Sequence, residues 1–389
     1  MHLRRIVGLL GAVAISTVVA CCGSAASPAS VQTSTAPATA IAASISELAS
    51  QAGSSQPPAA WTALDVASLT GAPVQVESLM PWAGGYVAFG EADSTSPLSG
   101  WSSQDGRSWA PISGQTFGLD TVGNSVVGGT ECAGGVLVAT ADATGAVMLW
   151  SSSDATQWTP GISPTGGLVP ALAGNSSGAI AAAGGSIFYT TDCSAWKPAT
   201  LPGPATASVS GVAGFGTGYV AVGFDRGSGS GAAAAPLAWW SSDGKNWVAA
   251  ALPADPGLAL GAVAAGSGGL IAYGGDAGQQ PGPSTFLTSA DGHTWAIVTT
   301  EPLGAQGSGA ETRLNGGYAG DGTHLLGYGQ TTGGATEYWV SNDGSHWTKL
   351  AIGGASAGSV GGGSAQPFLM RDGVLFSGGA TTAFGSATP

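Results

Sequence analysis

From about residue 60 to the C-terminus, short runs of Val, Ile, Tyr and Trp alternate with clusters of Gly, Asp, Ser and Pro. No 3.6-residue period of Leu, Ala, Glu and Lys runs through this stretch, so the pattern predicts many short strands and no long helix. One apolar run recurs with glycine at both ends: Gly85-Tyr86-Val87-Ala88-Phe89-Gly90, Gly218-Tyr219-Val220-Ala221-Val222-Gly223 and Gly269-Leu270-Ile271-Ala272-Tyr273-Gly274. Continuous rather than alternating hydrophobicity predicts a strand buried on both faces. A weaker apolar strand precedes each run, at Val74 to Met80, Val209 to Ala213 and Leu260 to Ala264.

Downstream of these strands sits a second repeat. The segments Ser103 to Trp109, Ser241 to Trp247, Ser289 to Trp295 and Ser341 to Trp347 share the pattern Ser/Thr-x-Asp-Gly-x-x-Trp. Two more copies, Ser152 to Trp158 and Thr190 to Trp196, keep the hydroxyl, the Asp and the Trp but replace Gly by Ala155 and Cys193. The carboxylates are Asp105, Asp154, Asp192, Asp243, Asp291 and Asp343; the indoles are Trp109, Trp158, Trp196, Trp247, Trp295 and Trp347. Asp-Gly between strand-like runs predicts a two-residue type I′ hairpin loop, with both central residues at positive φ. Ala155 and Cys193 are then expected to be strained by about 1 kcal/mol, or to use another turn.

Each unit of roughly 50 residues therefore holds four strands and cannot bury its two apolar faces alone. Stacking such units around an axis gives an all-β fold, a seven-bladed β-propeller of four-stranded antiparallel blades. Trp61 matches the motif Trp without a Ser-x-Asp-Gly before it, while the last unit offers strands only at Phe368 to Met370, Gly373 to Gly378 and Thr381 to Phe384. The expected closure is an N-terminal strand pairing with the last blade; an open stack or a six-bladed ring is the competing arrangement.

The six hairpins resemble the Asp-box, or BNR, repeat of bacterial sialidases, sortilin-type receptors and photosystem II stability factors. The resemblance covers Trp61 to the end, and departs in lacking the extra residue that sialidase boxes carry between Asp and Gly. It implies that the box joins the third and fourth strands, on the face away from any active site, as a folding element. A sialidase-like glycoside hydrolase would also need three arginines clamping the substrate carboxylate, a Tyr-Glu nucleophile pair and an acid/base Asp. Beyond the N-terminal segment only Arg107, Arg226, Arg313 and Arg371 are present, and Arg107 and Arg371 fall in turns on the box face. Two arginines remain where three are required, and Lys does not reproduce bidentate geometry.

The N-terminus changes the picture from fold to location. Met1 to Ala20 carries Arg4 and Arg5 and then an apolar run from Ile6, too short to span a bilayer as a mature helix. Its end, Val18-Val19-Ala20-Cys21, resembles the bacterial lipobox, which implies a lipoprotein signal peptide over 1–20 and diacylglycerol on Cys21. Cys22 fits less well, and the arginine pair is a weak hint of twin-arginine export. Residues 21–58 are then the anchor cysteine and an Ala/Ser/Thr/Pro tether that cannot bury a core, and residues 59–389 are the propeller. Cleavage would remove two of nine basic residues and leave seven against 22 acidic ones. Such a surface repels nucleic acid and anionic headgroups, so membrane attachment would come from the acyl chains.

Candidate chemistry is sparse. His293, His346 and His324 fall in turns on the box face, no His/Cys/Asp cluster has zinc spacing, and neither a P-loop nor a nucleophile elbow is expected, so no metal, cofactor or catalytic residue is assigned. The longer loops on the opposite rim bring Glu91, Asp93, Asp225, Asp276, Glu301 and Glu311 to one side with Arg226 and Arg313. Asp225, Arg226, Asp276 and Arg313 are the candidate rim-binding residues, for a cation, a cationic partner, or a protein or glycan ligand; the bland reading is solvated loop acids. Export permits a disulfide between Cys132 and Cys193, with spacing undecided by sequence. The functional expectation is a monomeric, exported, membrane-anchored binding or scaffold protein of the cell envelope, with a glycoside hydrolase or an assembly factor for a membrane complex as alternatives.

Overall fold

The computed structural model describes residues 60–65, 75–91, 96–106, 108–112, 124–166, 171–227, 234–254, 257–276, 285–298, 318–320, 324–330, 336–349, 351–353, 366–370, 373–377 and 383–386. All belong to one compact unit, Ser55–Pro389. Every element assigned among them is a strand. After β1 (Ala60–Asp65), the first sheet holds β2 (Gln75–Trp82), β3 (Gly85–Glu91), β4 (Ser99–Ser103) and β5 (Ala110–Ile112). The second holds β6 (Ser125–Cys132), β7 (Gly135–Ala141), β8 (Val147–Ser152) and β9 (Thr159–Ile162). The third holds β10 (Ala171–Asn175), β11 (Gly178–Ala183), β12 (Ser186–Thr190) and β13 (Lys197–Ala199). The fourth holds β14 (Ala207–Phe215), β15 (Gly218–Asp225), β16 (Ala235–Ser241) and β17 (Val248–Ala249). The fifth holds β18 (Leu258–Gly266), β19 (Gly269–Asp276), β20 (Thr285–Ser289) and β21 (Ala296–Ile297). The sixth holds β22 (Tyr318–Gly320), β23 (Leu325–Gln330), β24 (Thr336–Ser341) and β25 (Thr348–Lys349).

In all six the strands pair antiparallel in chain order, and the first strand of each sheet packs against the first strand of the next. This is the blade architecture of a β-propeller. A further sheet, ordered β26-β1-β29-β28-β27, contains β26 (Ala351–Gly353), β27 (Gln366–Met370), β28 (Gly373–Ser377) and β29 (Ala383–Ser386). Here β1 runs antiparallel to β29 and parallel to β26. The parallel neighbour was not expected from sequence, and it makes this sheet five-stranded where a four-stranded one was predicted. Its origin is local, since β26 follows β25 after a single residue and continues onto the flank of the next sheet.

The second strand of each blade explains why its sequence is continuously apolar. Val136 and Val138 of β7 pack with Val87 and Phe89 of the first sheet, while Leu137 and Ala139 pack with Ala179 of the third. Likewise Tyr219 and Ala221 of β15 join Ile180 and Ala182, whereas Val220 and Val222 join Leu270 and Ala272. Successive side chains point to opposite faces, so each central strand divides its residues between two neighbouring sheets and both faces need apolar groups.

The motif turn completes each interface. Trp158, Trp247, Trp295 and Trp347 each sit in a cluster shared with the preceding sheet. The residue four positions into the motif faces the same way: Ala155 is buried among Trp82, Val87 and Phe89. A Cβ placed on Gly244 would lie 3.1 Å from Ile180 and Tyr189, and one on Gly292 only 2.9 Å from Val220 Cγ2 and 2.8 Å from Trp240 Cδ1. Gly292→Ala is expected to lower unfolding free energy by about 2 kcal/mol, from left-handed strain plus forced repacking. Gly275→Ala adds a methyl to open space and should change it by less than about 0.5 kcal/mol. Urea midpoints measure both, and equal effects would refute the packing role.

Candidate functional site

The six motif turns lie at one end of their sheets and the loops joining second to third strands at the other. In the fourth sheet, for example, Tyr219 pairs with Ser241 at the turn end and Asp225 with Ala235 at the far end. The turns are not the two-residue type I′ loops expected from Asp-Gly. Ser102 pairs with Ala110, Ser151 with Thr159, Tyr189 with Lys197, Trp240 with Val248, Thr288 with Ala296 and Val340 with Thr348. All seven motif residues therefore lie between the last pair joining third and fourth strands, the first of them ending the third strand, in one register throughout. A type I′ loop needs positive φ at Asp, whereas the only non-glycine residues with positive φ among the described residues are Ala133, Ala155 and Cys193. Positive φ falls solely on the fourth motif position: 69° at Gly106, 57° at Ala155, 62° at Cys193, 72° at Gly244, 76° at Gly292 and 75° at Gly344. Ala155 and Cys193 thus accept the left-handed conformation rather than use another turn.

Side chains close the loop. In the four glycine copies the Gly N–H donates to the Ser hydroxyl at 2.8–2.9 Å. The hydroxyl donates in turn to Asp Oδ1, as Ser103 does to Asp105 at 3.2 Å and Thr190 to Asp192 at 2.9 Å. The same Oδ1 accepts the N–H groups two and three residues on, for example Lys245 and Asn246 at 2.9 and 2.8 Å from Asp243. The indole N–H then reaches back to the carbonyl of the left-handed residue, at 2.8 Å from Trp247 to Gly244 and 3.2 Å from Trp158 to Ala155. The Gln157 and Thr156 N–H groups hold the Asp154 carboxyl down to about 2. Ala195 and Ser194 likewise hold Asp192 well below the usual carboxylate range. Through Oδ1 these carboxylates act as structural acceptors within their own turns.

Other groups at this end are also tied locally. His346 Nδ1 lies 2.7 Å from Asp343 Oδ2, and His293 packs its ring 4.2 Å from that of Trp240 in the preceding sheet. Cys132, the last residue of β6, is joined by a disulfide to Cys193, with 5.9 Å between Cα atoms. The string Gly174-Asn175-Ser176-Ser177-Gly178 carries a Gly-x-Ser-x-Gly pattern that the sequence reading passed over. It is the hairpin between β10 and β11, with Asn175 Oδ1 accepting from Ser177 N–H at 2.8 Å. A nucleophile elbow leads from strand to helix, and here a strand follows.

At the far end, Asp225 closes β15 with Oδ1 accepting from Thr206 Oγ1 at 2.5 Å and Gly227 N–H at 3.0 Å. The Thr206 hydroxyl, then Gly227, lowers its pKa. Arg226 is exposed, its guanidinium 5.3 Å from the Phe224 ring centroid. Asp276 is the last residue of β19, paired with Leu258. Arg313, Asp93, Glu301, Glu311, Arg107, Arg371 and Cys21 lie outside the described residues. Sequence reasoning missed Asp142, whose Oδ1 accepts from Thr144 N–H, Thr144 Oγ1 and Ala146 N–H at 2.8, 2.6 and 2.9 Å. The signal was available: Asp142, Asp225 and Asp276 each follow the glycine that opens a second strand by the same spacing. Among the described residues no cluster of three His, Cys, Asp or Glu is arranged to hold a metal ion.

No protein-family model matches the chain, and none of the curated proteins matches it. Solved structures that resemble it are β-propellers. A streptogramin B lyase structure aligns at 10% identity and a TM-score of 0.47, over 82% of this chain and 94% of that one. YCF48 bound to D1 peptide aligns at 13% identity and 0.49, over 86% and 100%. Virginiamycin B lyase from Staphylococcus aureus aligns at 12% identity and 0.42, over 69% and 77%.

The Asp154 carboxylate makes a pH-dependent contribution to stability. The folded pKa of Asp154 lies below its unfolded value, so the stabilisation is full above about pH 4 and disappears as pH falls through about 2. Asp154→Asn should therefore lower the urea midpoint at pH 6, with the gap from the parent protein narrowing between pH 4 and pH 2. A gap independent of pH over that window would show that the charge plays no part.

Proposed function

We propose that this protein is a monomeric cell-surface lipoprotein whose body is a seven-bladed Asp-box propeller serving as a binding or scaffold module for a protein or glycan ligand, without catalysis. One observation carries the non-catalytic reading. The six repeated acids, and both rim acids with described side chains, accept hydrogen bonds from their own loops or from the turn before an adjacent strand, as structural groups do.

Support for a closed ring of seven comes from β1. Thr294, just before the motif residue Trp295, forms a parallel bridge to Ala251 of the preceding blade. Ala60, just before Trp61, pairs in parallel with Ala351 in the same way, so Trp61 takes the register position of a motif Trp. On its other side β1 pairs with β29, and β27 contacts both β22 and β2. Lipidation of Cys21, a tether over residues 21–58 and attachment at the outer leaflet follow from the lipobox resemblance, and the disulfide fits an exported chain.

Palmitate labelling of the full chain in a bacterial host should mark Cys21, and Cys21→Ser should shift the protein from the membrane to the soluble fraction. Crosslinked capture from membranes should recover a defined partner, and a panel of fluorogenic glycosides should remain unturned. Sialoside hydrolysis by purified protein, abolished by loss of Arg226, would sink the non-catalytic reading.

A further inference from the structure

The disulfide occupies a particular place in the repeat. Cys193 stands at the fourth motif position, which elsewhere carries glycine or alanine pressed against the preceding sheet. Its partner Cys132 ends the first strand of that preceding sheet. The interface it crosses takes few side chains from the third sheet: Ala179 is fully buried and Leu172 and Trp196 are part-buried, against Leu137, Ala139 and Leu149 of the second. The next interface is built differently, with Ile180 and Ile187 of the third sheet packed against Tyr219, Trp239 and Trp247 of the fourth. The third sheet thus buries less apolar area toward the second than toward the fourth, and the second-to-third contact is the weaker of its two flanks.

We propose that the Cys132–Cys193 bond is a redox latch that fastens the third sheet to the second, and that its reduction opens this one flank while the third sheet stays docked on the fourth. An external dithiol supplies the electrons. Its thiolate attacks one sulfur, forms a mixed disulfide and then closes to its own disulfide; two electrons and two protons pass to the protein, leaving thiols at Cys132 and Cys193. The flank is then held by these apolar contacts and by backbone bonds such as Ala133 N–H to Asn175 O at 3.0 Å.

Hydrogen exchange of the full chain, followed by mass spectrometry with and without dithiothreitol, tests the latch, with alkylation confirming that both thiols are released. Removing a crosslink of this loop length should speed opening of residues 171–199 by about 30-fold or more, while residues 218–297 keep their rates. Unchanged exchange over 171–199 after full reduction would overturn the proposal, and so would equal acceleration of every sheet. The double variant Cys132→Ser, Cys193→Gly installs the glycine that four other copies carry and removes strain at that position. It should exchange like the reduced protein and ignore dithiothreitol; exchange like the oxidised protein would also overturn the latch. Should this variant not fold, the reduction experiment decides alone.

Discussion

The structure depends on a small network of hydrogen bonds around one carboxylate oxygen. In the five copies whose residues are all described, a Ser or Thr hydroxyl and two backbone N–H groups converge on Asp Oδ1, and that convergence fixes the next residue in a left-handed conformation. Only with the chain turned this way does the fourth motif position face the preceding sheet and the indole three residues later reach back to its carbonyl. The turn is therefore less a connection between two strands than the seat by which one sheet fits its neighbour. Removing the carboxylate would leave backbone donors without an acceptor and loosen a contact between sheets, not merely a loop.

Much of this was legible in the sequence because its two signals are redundant. The glycine-bounded runs and the Ser/Thr-x-Asp-Gly-x-x-Trp copies recur independently, and each run falls on a second strand, as Gly85 and Gly218 do. The type of turn was misread for a physical reason. Asp-Gly is the usual two-residue hairpin loop when backbone pairing closes it, but here side-chain acceptors close a longer loop, and nothing in the dipeptide distinguishes the two cases. The bulges in the first strands, as between Val76 and Ser78 and between Val209 and Gly211, were equally invisible. A bulge depends on the partner strand as much as on its own residues.

The rim was harder to read. Asp225 and Asp276 were visible as loop acids, but Asp142 carries the same position in the second sheet and was overlooked. Whether an acid is a ligand group or a loop staple depends on donors such as Thr144 and Thr206, which lie two and nineteen residues away. Sequence spacing reveals the first and hides the second.

Every interface between the described blades has the same polarity, since the turn of one sheet inserts into the flank of the sheet before it and never the reverse. Such contacts are heterologous, like those of a head-to-tail assembly. Their geometry either closes on itself or leaves one unmatched knob and one unmatched socket at opposite ends. A chain shortened by one unit would carry both on a single molecule, and its natural outcome would be a linear polymer rather than a smaller monomer.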